Sequence, residues 1–397
     1  MKGNRPNLAI LGGTPAFDVP IPVGQLYFPS WDRYEQAFRD IFKREYYNNN
    51  GPLHERLEYQ LCQFLGAKHV LLVSNATLGL MMVADALELT GKVLMPAFTF
   101  IASAQSVSWA GLNPLFCDID RDTHQIDVNE ILNRMDDEVS AVMGVNLWGG
   151  ACQPKILEEL ATTLGVPLYF DSAHAFGCMV EEGKIGGFGQ AEVFSFHATK
   201  ILNATEGGCI CTNDDDLALR LRSIRPSYGA AAPVPIVRVA NARMSEAQAA
   251  VALMSLEDFP ENRANNEKLY RLYERYLREV PGIRLVKPAQ VVFSNYQYLI
   301  CEIDSRQFGL SRDQLLEVLK AENVIARRYF YPGLHRCIPY ADDARLGGAK
   351  FPHTDELCQV CVQLPIGARV SETSVEKICD ILVRIHGHAQ EIRDRLK

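Results

Sequence analysis

Two side chains set the chemical question. They are Asp171, in Tyr169-Phe-Asp-Ser-Ala-His174, and Lys200, which ends Phe194-Ser-Phe-His-Ala-Thr-Lys200. A lysine amine among apolar neighbours holds its proton less tightly and becomes a nucleophile and a base. A carboxylate beside a ring nitrogen keeps that nitrogen protonated, because an opposite charge favours the ionised form. Pyridoxal phosphate (PLP) needs both groups, an amine for its aldehyde and an acid against its pyridine nitrogen. The protonated ring then draws electrons from the substrate carbon. Each residue also has a plainer reading, Lys200 as a surface lysine and Asp171 as an ion-pair partner or helix cap. Their joint presence is what points to PLP.

Such residues must be placed by larger elements, and strand and helix patterns alternate along the first two thirds of the chain. Short apolar runs occur at 70–73, 93–95, 113–117, 141–145, 167–170, 193–196 and 209–212. Runs of this kind suit strands covered on both faces, as in a mainly parallel sheet. Helical patterns lie between them, for example over 78–89 and 154–164, so the fold class is α/β. A helix-rich stretch over 245–280, amphipathic around 263–278, leads to an α+β region. That region has predicted strands at 297–302 and 324–327 and helices at 311–322 and 371–386. The expected organisation is a large domain, residues 1–255, and a smaller one, residues 256–397.

Open α/β sheets take ligands at the carboxyl ends of their strands. Ser74-Asn-Ala-Thr-Leu-Gly79 follows the first strand and opens a helix. Small residues there let backbone amides reach a phosphate, and the Thr77 hydroxyl adds a donor. An N-cap by Ser74 or Asn75 accounts for the same residues without a ligand. Pro96-Ala-Phe-Thr-Phe100 follows the next strand and offers an aromatic, either to stack on a flat heterocycle or to join the core. His174 suits a ring substituent or a loop carbonyl. The two glycines of Glu206-Gly-Gly208 mark a reversal before the 209–212 strand.

Composition narrows the partners. A net charge of −8 disfavours nucleic acid and anionic membrane surfaces. The apolar run near residue 10 is too short for a secretory signal, and no run is long enough for a membrane span. A cytoplasmic location is expected. The 11 cysteines sit in apolar surroundings and read as reduced, buried residues. Cys358-Gln-Val-Cys361 and Cys209-Ile-Cys211 lack a second ligand pair at zinc spacing, so no metal is expected.

Eight segments, in order, resemble the DegT/DnrJ/StrS family of PLP-dependent sugar aminotransferases, a branch of the aspartate-aminotransferase-like fold type I. They are 50–52, 74–77, 96–100, 171–174, 195–200, 206–208, 241–246 and 331–335. The resemblance implies a large, mostly parallel mixed sheet with helices on both faces and a smaller C-terminal α+β domain. By position, it implies that Lys200 bonds the cofactor and carries the proton, and that Asp171 pairs with the ring nitrogen. His174 would lie near the ring hydroxyl, where many relatives have Gln, and Phe100 would stack on the ring. Ala76, Thr77 and Ser195 would hold the phosphate, with Asn241 reaching it from the other subunit of a homodimer. Relatives with His in place of the lysine are dehydratases, so Lys200 favours amino transfer.

The segment 326–335 is similar to the branch acting at sugar C4. Those relatives convert dTDP-4-keto-6-deoxy-D-glucose to dTDP-4-amino-4,6-dideoxy-D-glucose, and the expected donor is L-glutamate. Asn49, Arg225, Tyr228, Phe330, Tyr331 and His335 are the candidate substrate contacts. Competing expectations are amination at C3, a UDP-4-keto sugar or an aminocyclitol ketone as substrate, and a non-catalytic regulatory protein of the same fold. The Asp171 and Lys200 pair argues against the last.

Overall fold

The computed structural model describes residues 8–226, 234, 236, 238–342 and 348–397. Its main sheet contains β1 (His69–Val73), β2 (Lys92–Pro96), β3 (Asn113–Cys117), β4 (Val139–Val145) and β5 (Leu168–Asp171). A short hairpin follows, β6 (Met179–Val180) and β7 (Gly183–Lys184), and then β8 (Ala191–Ser195) and β9 (Gly208–Thr212) complete the sheet. The spatial order is β1-β9-β8-β5-β4-β2-β3. β9 pairs antiparallel with both β1 and β8, while the remaining pairs are parallel. Six strands therefore run one way, and β1, β2, β4, β5 and β8 deliver their carboxyl ends to one edge of the sheet.

The period of two along each strand explains why these runs read as continuously apolar. Leu71, Val73, Val93, Met95, Tyr169 and Val193 enter one buried core. Their neighbours Val70, Leu72, Leu94, Leu168, Phe170 and Phe194 enter another, on the opposite face. Helices Ala76–Ala86, Ile101–Trp109 and Asp215–Ile224 cover the first face, and Pro52–Leu65, Pro154–Leu164 and Glu246–Glu257 cover the second. A third core surrounds the antiparallel sheet of β10 (Ile283–Leu285), β11 (Leu299–Ile303) and β12 (Cys361–Leu364). It takes in the helices Phe259–Leu277, Arg312–Ala321 and Glu372–Gly387, and also Leu8 and Phe17 from the N-terminal segment.

One expectation changes. The run 324–327 is not a strand, because its ends bridge different partners, Val324 with Ile21 and Arg327 with Gln363. The apolar stretch around Cys358 and Cys361 divides between the helix Pro352–Val360 and β12. Its two cysteines are thus placed by different elements. All 11 cysteines are free thiols, and nine are buried. Among the described residues no helix is long and apolar enough to cross a membrane.

Gly144 lies in β4 and pairs with Phe170, the residue before Asp171. A Cβ there would stand 2.5 Å from Phe170 Cδ1 and 3.1 Å from Cys152 Sγ. Gly144→Ala should therefore push the strand that carries Asp171 and cost about 1–3 kcal/mol of stability. Urea unfolding of the variant checks this; an unchanged midpoint would refute it.

Candidate active site

At the shared strand edge lies a cavity of about 320 Å³ whose wall includes Ala76, Thr77, Phe100, Asp171, His174, Ser195, Lys200 and Phe330. Asp171 ends β5 between Val145 of β4 and Val193 of β8, so two strands fix its backbone. Its carboxylate accepts hydrogen bonds from Ser103 Oγ at 2.7 Å and from the Ala173 amide at 3.2 Å. Burial pushes the carboxyl above the usual range; the Ser103 and Ala173 bonds and the Lys200 charge oppose that shift. The half-buried Lys200 donates from Nζ to Tyr298 Oη at 2.8 Å. Burial pulls its amine down to about 8, with Asp171 opposing and Arg327 assisting.

The helix Ala76–Ala86 bears out the cap in the first loop and turns its first residues to the cavity. Asn75 is the cap, its side chain accepting from the Leu78 amide at 2.8 Å. The Ala76 and Thr77 amides lie in the first turn, where the helix supplies no acceptor. Both residues face the cavity, so an anion there meets the positive end of the helix. Phe100 precedes the helix Ile101–Trp109 and is 52% exposed, whereas Phe98 is fully buried. One turn along that helix stands Ser103, so a single element offers a face for stacking and the donor to Asp171.

His174 is buried beside the rings of Tyr298 (4.2 Å) and Trp148 (5.4 Å), and among the described residues its Nδ1 has no hydrogen-bond partner. Burial, assisted by the Lys200 charge, drives its pKa well below the ordinary value, so the ring is neutral. Phe330 stacks on Trp148 at 5.0 Å and closes the inner wall.

The remaining candidates among the described residues do not line this chain's cavity. Tyr331 is exposed beneath the Arg328 guanidinium, and His335 Nε2 meets Asp355 at 2.9 Å. Asn49 is buried, its carbonyl accepting from Tyr46 Oη at 2.9 Å. Arg225 is held by Glu58 (2.7 Å), the Leu72 carbonyl (3.2 Å) and Asn50 Oδ1 (2.8 Å). Asn241 is exposed, with a left-handed φ of 46°, and accepts from Arg243 Nε at 2.9 Å. Tyr228 lies outside the described residues.

Sequence reasoning missed Ser103, Asn146, Trp148, Tyr298 and Arg327. Asn146 directly follows β4, so the strand-end rule alone could have found it. Ser103 follows Phe100 by one helical turn, a weaker signal. Trp148 and Tyr298 arrive through tertiary packing, with nothing local to mark them, whereas Arg327 lies within the segment 326–335 already singled out. Trp148 Nε1 donates to His124 Nδ1 at 3.3 Å, and His124 Nε2 lies 2.7 Å from Glu302 Oε1. His124, Glu302 and Cys361 are near enough to invite a metal reading. Arg121 and Arg284 already neutralise Glu302, and burial keeps the Cys361 thiol protonated, so this is a hydrogen-bonded support behind Trp148.

PLP fits the groups present. Asp171 is a buried acid in need of a cation, the His174 Nδ1 is an unpaired buried atom, and the helix amides suit a phosphate. Lys200 presents the amine. Only a neutral amine attacks an aldehyde, and burial favours the neutral form. The initial rate of PLP capture by apoprotein, trapped with cyanoborohydride, should therefore rise with pH through an inflection near 8. An inflection at the ordinary lysine value would contradict it. Removing one partner of a buried pair leaves an uncompensated charge, so Arg225→Ala should lower stability by about 3 kcal/mol in thermal unfolding.

The sequence profile described as the DegT/DnrJ/EryC1/StrS aminotransferase family matches residues 32–383. The dTDP-4-amino-4,6-dideoxy-D-glucose transaminase of Shigella dysenteriae is 32% identical over 370 residues, covering 92% of this chain and 99% of its own. GDP-perosamine synthase of Vibrio cholerae is 28% identical over 368 residues, covering 91% and 98%. The crystal structure of DesI in the presence of its TDP-sugar product matches with a TM-score of 0.91 at 38% identity, covering 98% of each chain. The fold is thus the type I fold of PLP-dependent aminotransferases. The chain belongs to the DegT/DnrJ/EryC1/StrS family, and it is a PLP-dependent sugar aminotransferase.

Proposed function

We propose that the enzyme moves the amino group of L-glutamate to C4 of dTDP-4-keto-6-deoxy-D-glucose, giving dTDP-4-amino-4,6-dideoxy-D-glucose. The observation that carries this reading is the similarity to DesI, solved with its TDP-sugar product, at 38% identity over 98% of both chains. The likeness to the Shigella dysenteriae transaminase points to the same sugar. The active unit in this reading is a homodimer. The exposed position of Asn241, away from its own cavity, supports its service to a second copy.

PLP supplies an electron-poor ring that stabilises negative charge on the carbon losing its proton. Lys200 Nζ takes that proton and returns it, first for the amino acid and then, in reverse, for the sugar ketone. Its amine at about 8 is balanced for both tasks near neutral pH. Tyr298 Oη accepts from Nζ and fixes its direction. Ser103 and the Ala173 amide hold the Asp171 carboxylate in one orientation. The Trp148, Phe330 and Tyr298 rings exclude water from the inner wall, which strengthens the charge interactions there.

The test is product analysis. PLP-loaded enzyme with L-glutamate and dTDP-4-keto-6-deoxy-D-glucose should yield 2-oxoglutarate and a sugar bearing nitrogen on C4, identified by mass spectrometry and NMR. Lys200→Ala should lower turnover at least about 10²-fold, the range for losing a positioned proton carrier. Preference for a GDP- or UDP-linked ketone, or nitrogen on C3, would replace the substrate assignment.

A further inference from the structure

Strand β8 places an acid where its neighbours are apolar. Glu192 is 1% exposed, pairs with Phe170 of β5, and faces the core that holds Phe170 and Phe194. A carboxylate in such a place is costly unless its oxygens are bonded. Among the described residues its donors are the Gly186 amide at 2.6 Å, the Phe188 amide at 2.9 Å and Ser172 Oγ at 2.6 Å, none of them a cation. Oε1 takes both amides and Oε2 takes the hydroxyl. The ionisable groups that face it bring no positive charge. Cys152 and Cys211 are thiols that burial keeps protonated. Glu158, from the helix Pro154–Leu164, is a second acid that accepts from the Gly189 amide at 2.9 Å.

The hydroxyl leads to the cleft. Ser172 stands between Asp171 and Ala173, whose amide bonds the Asp171 carboxylate. Its Oγ also accepts from Asn146 Nδ2 at 2.9 Å, and Asn146, Asp171, Ala173 and His174 all line the cavity. We propose that Glu192 is a positioning residue for the cofactor, its ionised carboxylate fixing Ser172 and thereby the acid and the imidazole on either side of it. The inference rests on the PLP assignment and is independent of the choice of sugar. Ser172 has one proton to give, and Asn146 already donates to its oxygen. An ionised Glu192 accepts that proton, so every polar atom of the chain Asn146–Ser172–Glu192 is paired. A protonated Glu192 turns its own proton toward Ser172 Oγ and leaves the serine proton, in a buried place, without an acceptor. The loop is then held less firmly.

The test is equilibrium titration of the full-length apoprotein with PLP, followed by the absorbance of the bound cofactor. Glutamine keeps the shape of Glu192 and stands for the protonated acid. At pH 8, Glu192→Gln should weaken the PLP Kd roughly tenfold, the lower end of what a charged hydrogen bond is worth. Ser172→Ala leaves Glu192 its two amides but cuts the link, and should weaken PLP by a similar factor. The double variant should stay within about twofold of either single one, because both changes break the same chain. Burial lifts the Glu192 carboxyl to about 7, so at pH 6 most of the wild type is already protonated. There the gap between wild type and either variant should close to about twofold. Equal Kd values at pH 8 overturn the proposal. So does a gap that is the same at pH 6 and pH 8, or a pair of losses that multiply in the double variant, since a residue that only fills space would behave in that way. Should Glu192→Gln fail to fold, Ser172→Ala carries the same comparison across pH. No sugar enters the titration, so a different sugar substrate would leave the result standing.

Discussion

Asp171 carries its charge at the end of a central strand, buried, with one hydroxyl and one amide as hydrogen-bond partners. A carboxylate in such a place is costly unless a cation completes it. Lys200 helps only through its charge, since its amine is bonded to Tyr298 and burial draws that amine toward neutrality. In the proposed reading, the protonated nitrogen of a pyridine ring would supply the missing positive group. The rest of the cleft would serve that demand, with a helix terminus facing the cavity for the anionic end of the cofactor and an exposed Phe100 for its face.

The sheet makes this arrangement possible. Reversal of β9 alone leaves β1, β2, β4, β5 and β8 opening on one edge, where their following loops converge. The loop after Asp171 is tied from behind. Asn146 Nδ2 donates to Ser172 Oγ at 2.9 Å, and Ser172 Oγ donates to Glu192 at 2.6 Å. Glu192 also accepts from the Gly186 and Phe188 amides, and burial lifts its carboxyl to about 7. On the other side His124 joins Trp148 to Glu302 of β11, so the aromatic wall is fastened to the smaller sheet.

Much of this was legible in the sequence because its signals are local. Continuous apolar runs marked seven strands of the main sheet, and the residues just beyond them included Thr77, Phe100, Asp171, His174 and Lys200. The smaller sheet was read less well. β10 is only three residues long, and β12 begins within a run that also ends a helix. Tyr298 carries no local mark, since its role arises when the second core packs over the first. Arg225 shows the converse. It was a candidate substrate contact, but Glu58 and the Leu72 carbonyl occupy it, a fact that only the folded chain reveals.

The central claim is that Asp171 holds a protonated ring nitrogen. Reconstituting the enzyme with PLP labelled with ¹⁵N in the ring, and recording its ¹⁵N NMR shift from neutral to alkaline pH, tests this directly. The account predicts a pyridinium shift that persists above the pKa of the free cofactor and is lost in Asp171→Asn. A neutral pyridine shift in the wild-type enzyme at neutral pH would contradict it.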